Sequence, residues 1–255
     1  MPKAKVHPVL EIYECLKRDF KNDAISPNVT NAIRQLYIES KNFLASFDKE
    51  KLRPDRTGKE YFSFLNESNK LSRAVNDDLY LSDDTLLDIF FENLQCNRVT
   101  MQNAAEITKV CYTIAINFCC SIDMLKNGDQ KTPGTFFEYY MGHLFAKQFN
   151  IPPTNRLEVL NLDMRASLPT DLIFDLGKNR PKFHVPIKTS TRERVVQVWA
   201  HQRVLDGVYG TGRFLGLLSC LSETKLDHRT KVVTEICLPD QWRVYQMFVS
   251  QLKRV

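Results

Sequence analysis

Glycine and proline are scarce in this chain, nine and eleven among 255 residues, and no internal repeat or low-complexity segment is built from them. That scarcity excludes a disordered chain outside the termini. The seven cysteines (Cys15, Cys96, Cys111, Cys119, Cys120, Cys220, Cys237) form no CxxC pair and join no histidine cluster at zinc spacing. A structural zinc site is thereby excluded, and the cysteines read as reduced core residues of a cytoplasmic protein. No apolar run has the length of a membrane span, and MPKAKVHPVLEIYECL lacks the apolar stretch of a secretory signal. The expectation is a chain that stays in the cell that makes it, with no membrane partner. Charge of one sign is also lacking: the net +5 permits a nucleic-acid partner without requiring one.

What is present is globular composition, 43% apolar and aromatic with a quarter charged. At this length a full core can be buried, as one large domain or one domain with a helical extension. Apolar residues recur at three- and four-residue steps over Pro8 to Phe20, Pro27 to Ser46, Asp83 to Leu94 and Met101 to Leu125, which predicts a helical first half. Asp83 and Asp84 stand where N-terminal capping charge belongs. LRPDRTGKEY reads as a loop between helices, either solvated or touching a polyanion.

The pattern changes near residues 126 to 134, where NGDQKTPG is a turn cluster, so a boundary is placed between 1–128 and 129–255. Behind it FFEYYMGHLFAKQF carries a helical stripe. Two runs of strand formers, Asp171 to Leu176 and Lys182 to Lys188, flank the turn GKNRP and predict a β-hairpin. A helix from Thr191 to Asp206, strands Phe214 to Leu221 and Lys231 to Leu238, and a helix Pro239 to Lys253 follow. This order describes an α/β fold with a mixed central sheet flanked by helices, preceded by the helical half.

Hydrolysis of a phosphodiester needs a divalent cation, carboxylates to hold it and a group to orient the attacking water. One or two carboxylates suffice for Mg²⁺, because water and phosphate oxygens complete its shell. Asp171 opens the first hairpin strand and Lys188 closes the second, so antiparallel pairing brings them to one edge of the sheet. Glu138 is a lone acid in an apolar helix that leads to the same edge; an acid there must be paired, hydrated or bound to metal. Each residue alone also fits an ordinary surface role: Glu138 on a solvated helix face, Asp171 capping a turn, Lys188 ending a strand.

Pro169-Thr170-Asp171, an apolar strand, a hairpin and Pro186-Ile187-Lys188 together resemble the PD-(D/E)xK nucleases. The acid usual two places before the lysine is Pro186 here. In the branch of type II restriction endonucleases that read CCGG, CCNGG or CCWGG, that acid is displaced into the following helix. There the lysine is followed by small hydroxyl residues and an Arg-acid-Arg reading motif. Lys188-Thr189-Ser190-Thr191-Arg192-Glu193-Arg194 is similar to that signature. The resemblance spans about residues 130 to 206. It implies that Asp171 and Glu138 hold Mg²⁺, directly or through water, and that Lys188 orients the nucleophilic water. The displaced acid should fall thirteen or fourteen residues after the lysine, at His201 or Gln202, and neither is acidic. Three readings follow: Gln202 as a neutral oxygen ligand and positional substitute, His201 as base or phosphate contact, or an acid from elsewhere.

Guanine offers O6 and N7 acceptors in the major groove and cytosine an N4 donor, so Arg192 and Arg194 suit guanines and Glu193 suits cytosines. Ser190 and His201 complete the candidate DNA contacts. The same charge alternation also fits local ion pairs at a helix start. A palindromic CC…GG site implies a homodimer reading double-stranded DNA. Such an enzyme further implies a restriction-modification setting with a cognate DNA methyltransferase in the same cell, which is not a physical partner. The alternatives are a non-catalytic DNA-binding protein on the same fold, and a repair or mobile-element nuclease.

Overall fold

The computed structural model describes residues 6–55, 58–96, 103–161, 164–178, 180–190, 195–222, 224–235 and 239–254. Helices α1 (Pro8–Asn22) and α2 (Pro27–Leu44) each begin on a proline, whose missing N–H would be unpaired in a first turn anyway. The side chains of His7 and Ser26 accept from the N–H groups of Val9 and Asn28 at these two starts. Helices α3 (Thr85–Gln95), α4 (Ala104–Leu125) and α5 (Lys131–Phe149) pack with them around one apolar core that includes Leu16, Leu36, Phe118 and Tyr140. Helix α4 is long and apolar enough to cross a membrane by length and composition. However, 67% of its most apolar window is buried inside the protein, where it serves as the central core helix. This amends the reading that no segment reaches that length.

The first half is not purely helical. Strands β1 (Asp48–Pro54), β2 (Tyr61–Leu65) and β3 (Val75–Asn76) form an antiparallel meander between α2 and α3. The first residues of LRPDRTGKEY therefore end β1 and its Tyr61 opens β2, instead of the segment joining two helices; Arg56 and Thr57 lie outside the described residues. Its alternation was masked because β1 is nearly all polar, with Leu52 its one buried residue. After β4 (Thr154–Asn161), β5 (Met164–Asp175), β6 (Lys182–Val185), β7 (Ile187–Ser190), helix α6 (Val195–Tyr209), β8 (Phe214–Gly216) and β9 (Ser219–Ser222), the chain forms β10 (Thr224–Asp227) and β11 (Val232–Glu235). Helix α7 (Pro239–Phe248) follows. Strand β11 pairs parallel with β1, so a sheet ordered β10-β11-β1-β2-β3 joins residues on both sides of the 128/129 boundary.

The remaining strands make a second, mixed sheet in two pieces, β4-β5-β6-β8 and β7-β9. The hairpin expected around GKNRP is β5 and β6, antiparallel with Leu172 opposite Val185 and Asp175 opposite Lys182. The pieces part at Pro186, which has no N–H to continue the ladder. Beyond it the chain leaves β5 and pairs with β9 in parallel, Ile187 opposite Ser219. Helix α5 packs against β5 and β7, and α6 against β8. Of the cysteines, Cys119 and Cys120 lie in the core, but Cys15 and Cys96 are exposed, contrary to the reading of all seven as core residues.

Candidate active site

The break at Pro186 assembles the site. Where the β5–β6 backbone ladder ends, the carboxylate of Asp171 takes over: its Oδ2 accepts from the backbone N–H of Ile187 at 2.8 Å and from Lys188 Nζ at 2.6 Å. Both side chains remain partly in solvent, Asp171 at 29% and Lys188 at 20% exposure. No described residue donates to Asp171 Oδ1. Alternation along β7 sends Ile187 into the core and leaves Lys188 at the surface.

Glu138 arrives from α5. The apolar stripe Phe136, Phe137 and Tyr140 buries that helix, which leaves Glu138 half-buried on its flank. Gly142, one turn on, permits a close approach: a Cβ there would stand 2.8 Å from the ring of Phe20 and 3.4 Å from Leu172 on β5. The helix is thus pressed onto the strand that carries Asp171. Burial pushes the Glu138 carboxyl up to about 7; the Asp171 charge pushes the same way and Lys188 opposes it. Glu138, Asp171 and Lys188 are therefore within electrostatic reach of one another. Glu138 and Asp171 share the wall of a cleft of about 640 Å³, between the end of α1 and the start of β4.

His201 on α6 belongs to the same cluster. Its imidazole pKa is lowered by burial, with Asp171 raising it and Lys188 lowering it. Gln202, the next residue, faces the other way. It is 1% exposed; its Oε1 accepts from His184 Nδ1–H at 3.0 Å, and its Nε2 donates to Asp206 and to the Phe214 carbonyl. These bonds tie α6 to β6 and β8, which accounts for Gln202 without any ligand. His184, missed in the sequence, is fully buried behind the site. Burial first, with His201 and Lys188 adding to it, pulls its pKa down to about 4, and its Nε2 has no partner among the described residues. Its signal was hidden because FHV reads only as a strand. Ser190 ends β7 opposite Ser222. Arg192, Glu193 and Arg194 lie outside the described residues.

Among the described residues no three histidine, cysteine or acidic side chains form a ready-made metal cage. Two neighbouring oxygen donors, one of them a half-buried carboxylate that no described residue pairs, nevertheless fit a hard cation that keeps water and phosphate in its shell.

No family model matches the chain, and no curated protein matches its sequence. Among solved structures, the architecture is similar to that of a restriction endonuclease. The neighbour is described as the crystal structure of the type IIP restriction endonuclease Kpn2I. It is 25% identical, with a TM-score of 0.78, and the match covers 97% of this chain and 86% of that one. A likeness over nearly the whole length supports a nuclease enzyme, with a mixed α/β fold of the restriction-endonuclease kind.

Proposed function

We propose that the protein is a type II restriction endonuclease of the PD-(D/E)xK kind that hydrolyses double-stranded DNA at a short palindrome with a CC…GG core, with Mg²⁺ as cofactor. The observation that carries this reading is the Asp171–Lys188 pair at the break in the sheet, with Glu138 beside it. The whole-length likeness to a restriction endonuclease supports it. Asp171 and Glu138 would hold the metal. When bound, the cation supplies Lewis acidity at the scissile phosphate and lowers the pKa of its water.

Lys188, fixed on Asp171 Oδ2, points its remaining N–H groups at the attacking water and orients it. His201, within the same field, takes the role of phosphate contact or proton acceptor for which the displaced acid was sought. Gln202 is reassigned in this proposal to holding α6 in place. Arg192, Glu193, Arg194 and Ser190 are proposed to face the DNA, the two arginines on guanines and Glu193 on cytosines. A homodimer places one such reader and one active site on each strand.

The test is to incubate the protein with long duplex DNA of known sequence and Mg²⁺, then sequence the fragment ends. Discrete ends sharing a C·G-rich palindrome, abolished by Lys188→Ala, are expected. Intact DNA under every divalent metal, with DNA affinity retained, would overturn the enzyme and leave a DNA-binding protein on a nuclease fold.

A further inference from the structure

The cleft beside the carboxylates extends well past them. One wall is the last turn of α1 and the loop after it, which carries Lys21; the other is the start of β4, which carries Arg156. Both side chains are exposed, and neither makes an ion pair with a described residue. Neither is among the charges that shift the Glu138 carboxyl. Arg156 also sits at an irregularity: the β4–β5 register slips between Thr154 and Arg156, as it does at a β-bulge. Bulges of this kind gather beside active sites, where they redirect a side chain. The rigid Pro152-Pro153 pair leads into it.

We propose that this cleft is a subsite for the DNA backbone next to the scissile phosphate, in which Lys21 and Arg156 each neutralise one phosphate of the strand being cut. The inference rests on the nuclease reading and adds two positioning residues that no motif contains. Asp23, Glu138 and Asp171 also line it, but Asp171 is paired with Lys188 and the Glu138 carboxyl is pushed up to about 7, so the acids do not cancel the two cations. Asp23 already accepts from the Ile25 N–H and caps the turn between α1 and α2. A divalent cation on the other two acids would add positive charge to the cleft, and the strand then enters between Lys21 and Arg156. The polycation seen by the backbone is thus split between the metal and these two side chains, which are brought together from residues 135 positions apart in sequence.

The experiment measures binding of a labelled duplex to the full chain across a salt series, with Ca²⁺ at concentrations where the duplex is recovered intact. Each phosphate contact contributes about 0.9 to the slope of log K against log salt. Lys21→Ala and Arg156→Ala should each lower the slope by about 0.9 and the double variant by about twice that. Arg156→Lys should keep it, because a lysine still neutralises one phosphate. Replacing single phosphates by neutral methylphosphonates then locates the contact. A neutral linkage beside the cut should weaken the wild type and leave the double variant unaffected. An unchanged slope in a double variant with wild-type thermal stability overturns the subsite while the nuclease reading stands. A wild type without DNA affinity in any metal overturns both.

Discussion

Glu138 shows how one side chain links burial, ionisation and the metal binding proposed for it. A carboxyl pushed up to about 7 from an ordinary 4.5 makes the folded state prefer the protonated form. The stabilising contribution of protonated Glu138 is therefore present below pH 4.5 and lost as pH rises through about 7. At pH 8 without metal, Glu138→Gln should stabilise the protein by about 1–2 kcal/mol after allowance for solvent screening. That is a rise of roughly 2–8 °C in Tm. In Mg²⁺ the order should reverse, since the wild type binds the ion and the variant loses a ligand. A melting series at pH 5 and 8, with and without Mg²⁺, checks both signs; an unchanged wild-type Tm on adding metal at pH 8 would count against Glu138 as a ligand. His184 behaves oppositely. Held neutral with a pKa near 4, it stabilises the fold above its unfolded value near 6.5 and that contribution falls away as pH drops toward 4.

At the scale of elements, the decisive joint is the one between α6, β6 and β8. Gln202 bonds to His184, Asp206 and the Phe214 carbonyl, and Gly216 on β8 leaves room for it. A Cβ at residue 216 would run into the Leu252 side chain and stand 2.7 Å from Gln202 Oε1. Gly216→Ala should thus destabilise by about 1–3 kcal/mol through overpacking. Gln202→Ala, which orphans buried groups, should cost about 2–4 kcal/mol. The informative readout is the split between stability and metal dependence. Gln202→Ala assayed below its lowered Tm should keep the wild-type Mg²⁺ concentration for half-maximal cleavage. A large rise in that concentration would return Gln202 to the metal site. The hairpin and most helices were legible because their apolar spacing is set by the local chain. Strands β1, β4 and β10 were not: β1 is almost wholly polar and one of its edges is covered by the distant β11, while β4 and β10 pair with the strands that follow them, β5 and β11, without a clean apolar alternation of their own.

For the whole molecule, the proposed palindrome requires two copies, and one face offers a place for them. On α7, Val244, Met247 and Phe248 fall at three- and four-residue steps and are 50%, 73% and 77% exposed; α6, which packs against α7, also leaves Val204 and Val208 exposed. Large apolar side chains left bare on adjoining helices are the composition of an interface between copies. Met247→Glu with Phe248→Glu should leave far-UV circular dichroism unchanged, shift the sedimenting species from dimer to monomer, and suppress double-strand cleavage. A wild type that sediments as a monomer would count against the proposed homodimer, and a double variant that sediments as a dimer alongside a dimeric wild type would place the contact elsewhere.

Read from residues alone, the chain already offered the three residues of the proposed site: an acid in an apolar helix, an acid opening a strand and a lysine closing the next can be picked out because each depends on local context. Tertiary structure decided the rest. Only the ladder break at Pro186 turns Asp171 onto Lys188, and only the packing of α5 against β5 brings Glu138 within their field. Whether His201 or Gln202 faces the cluster is a matter of helix rotation, which packing determines and one-residue spacing does not. Lys21 and Arg156 had no signal at all, because a cleft wall made from a helix end and a bulged strand exists only once the chain has folded.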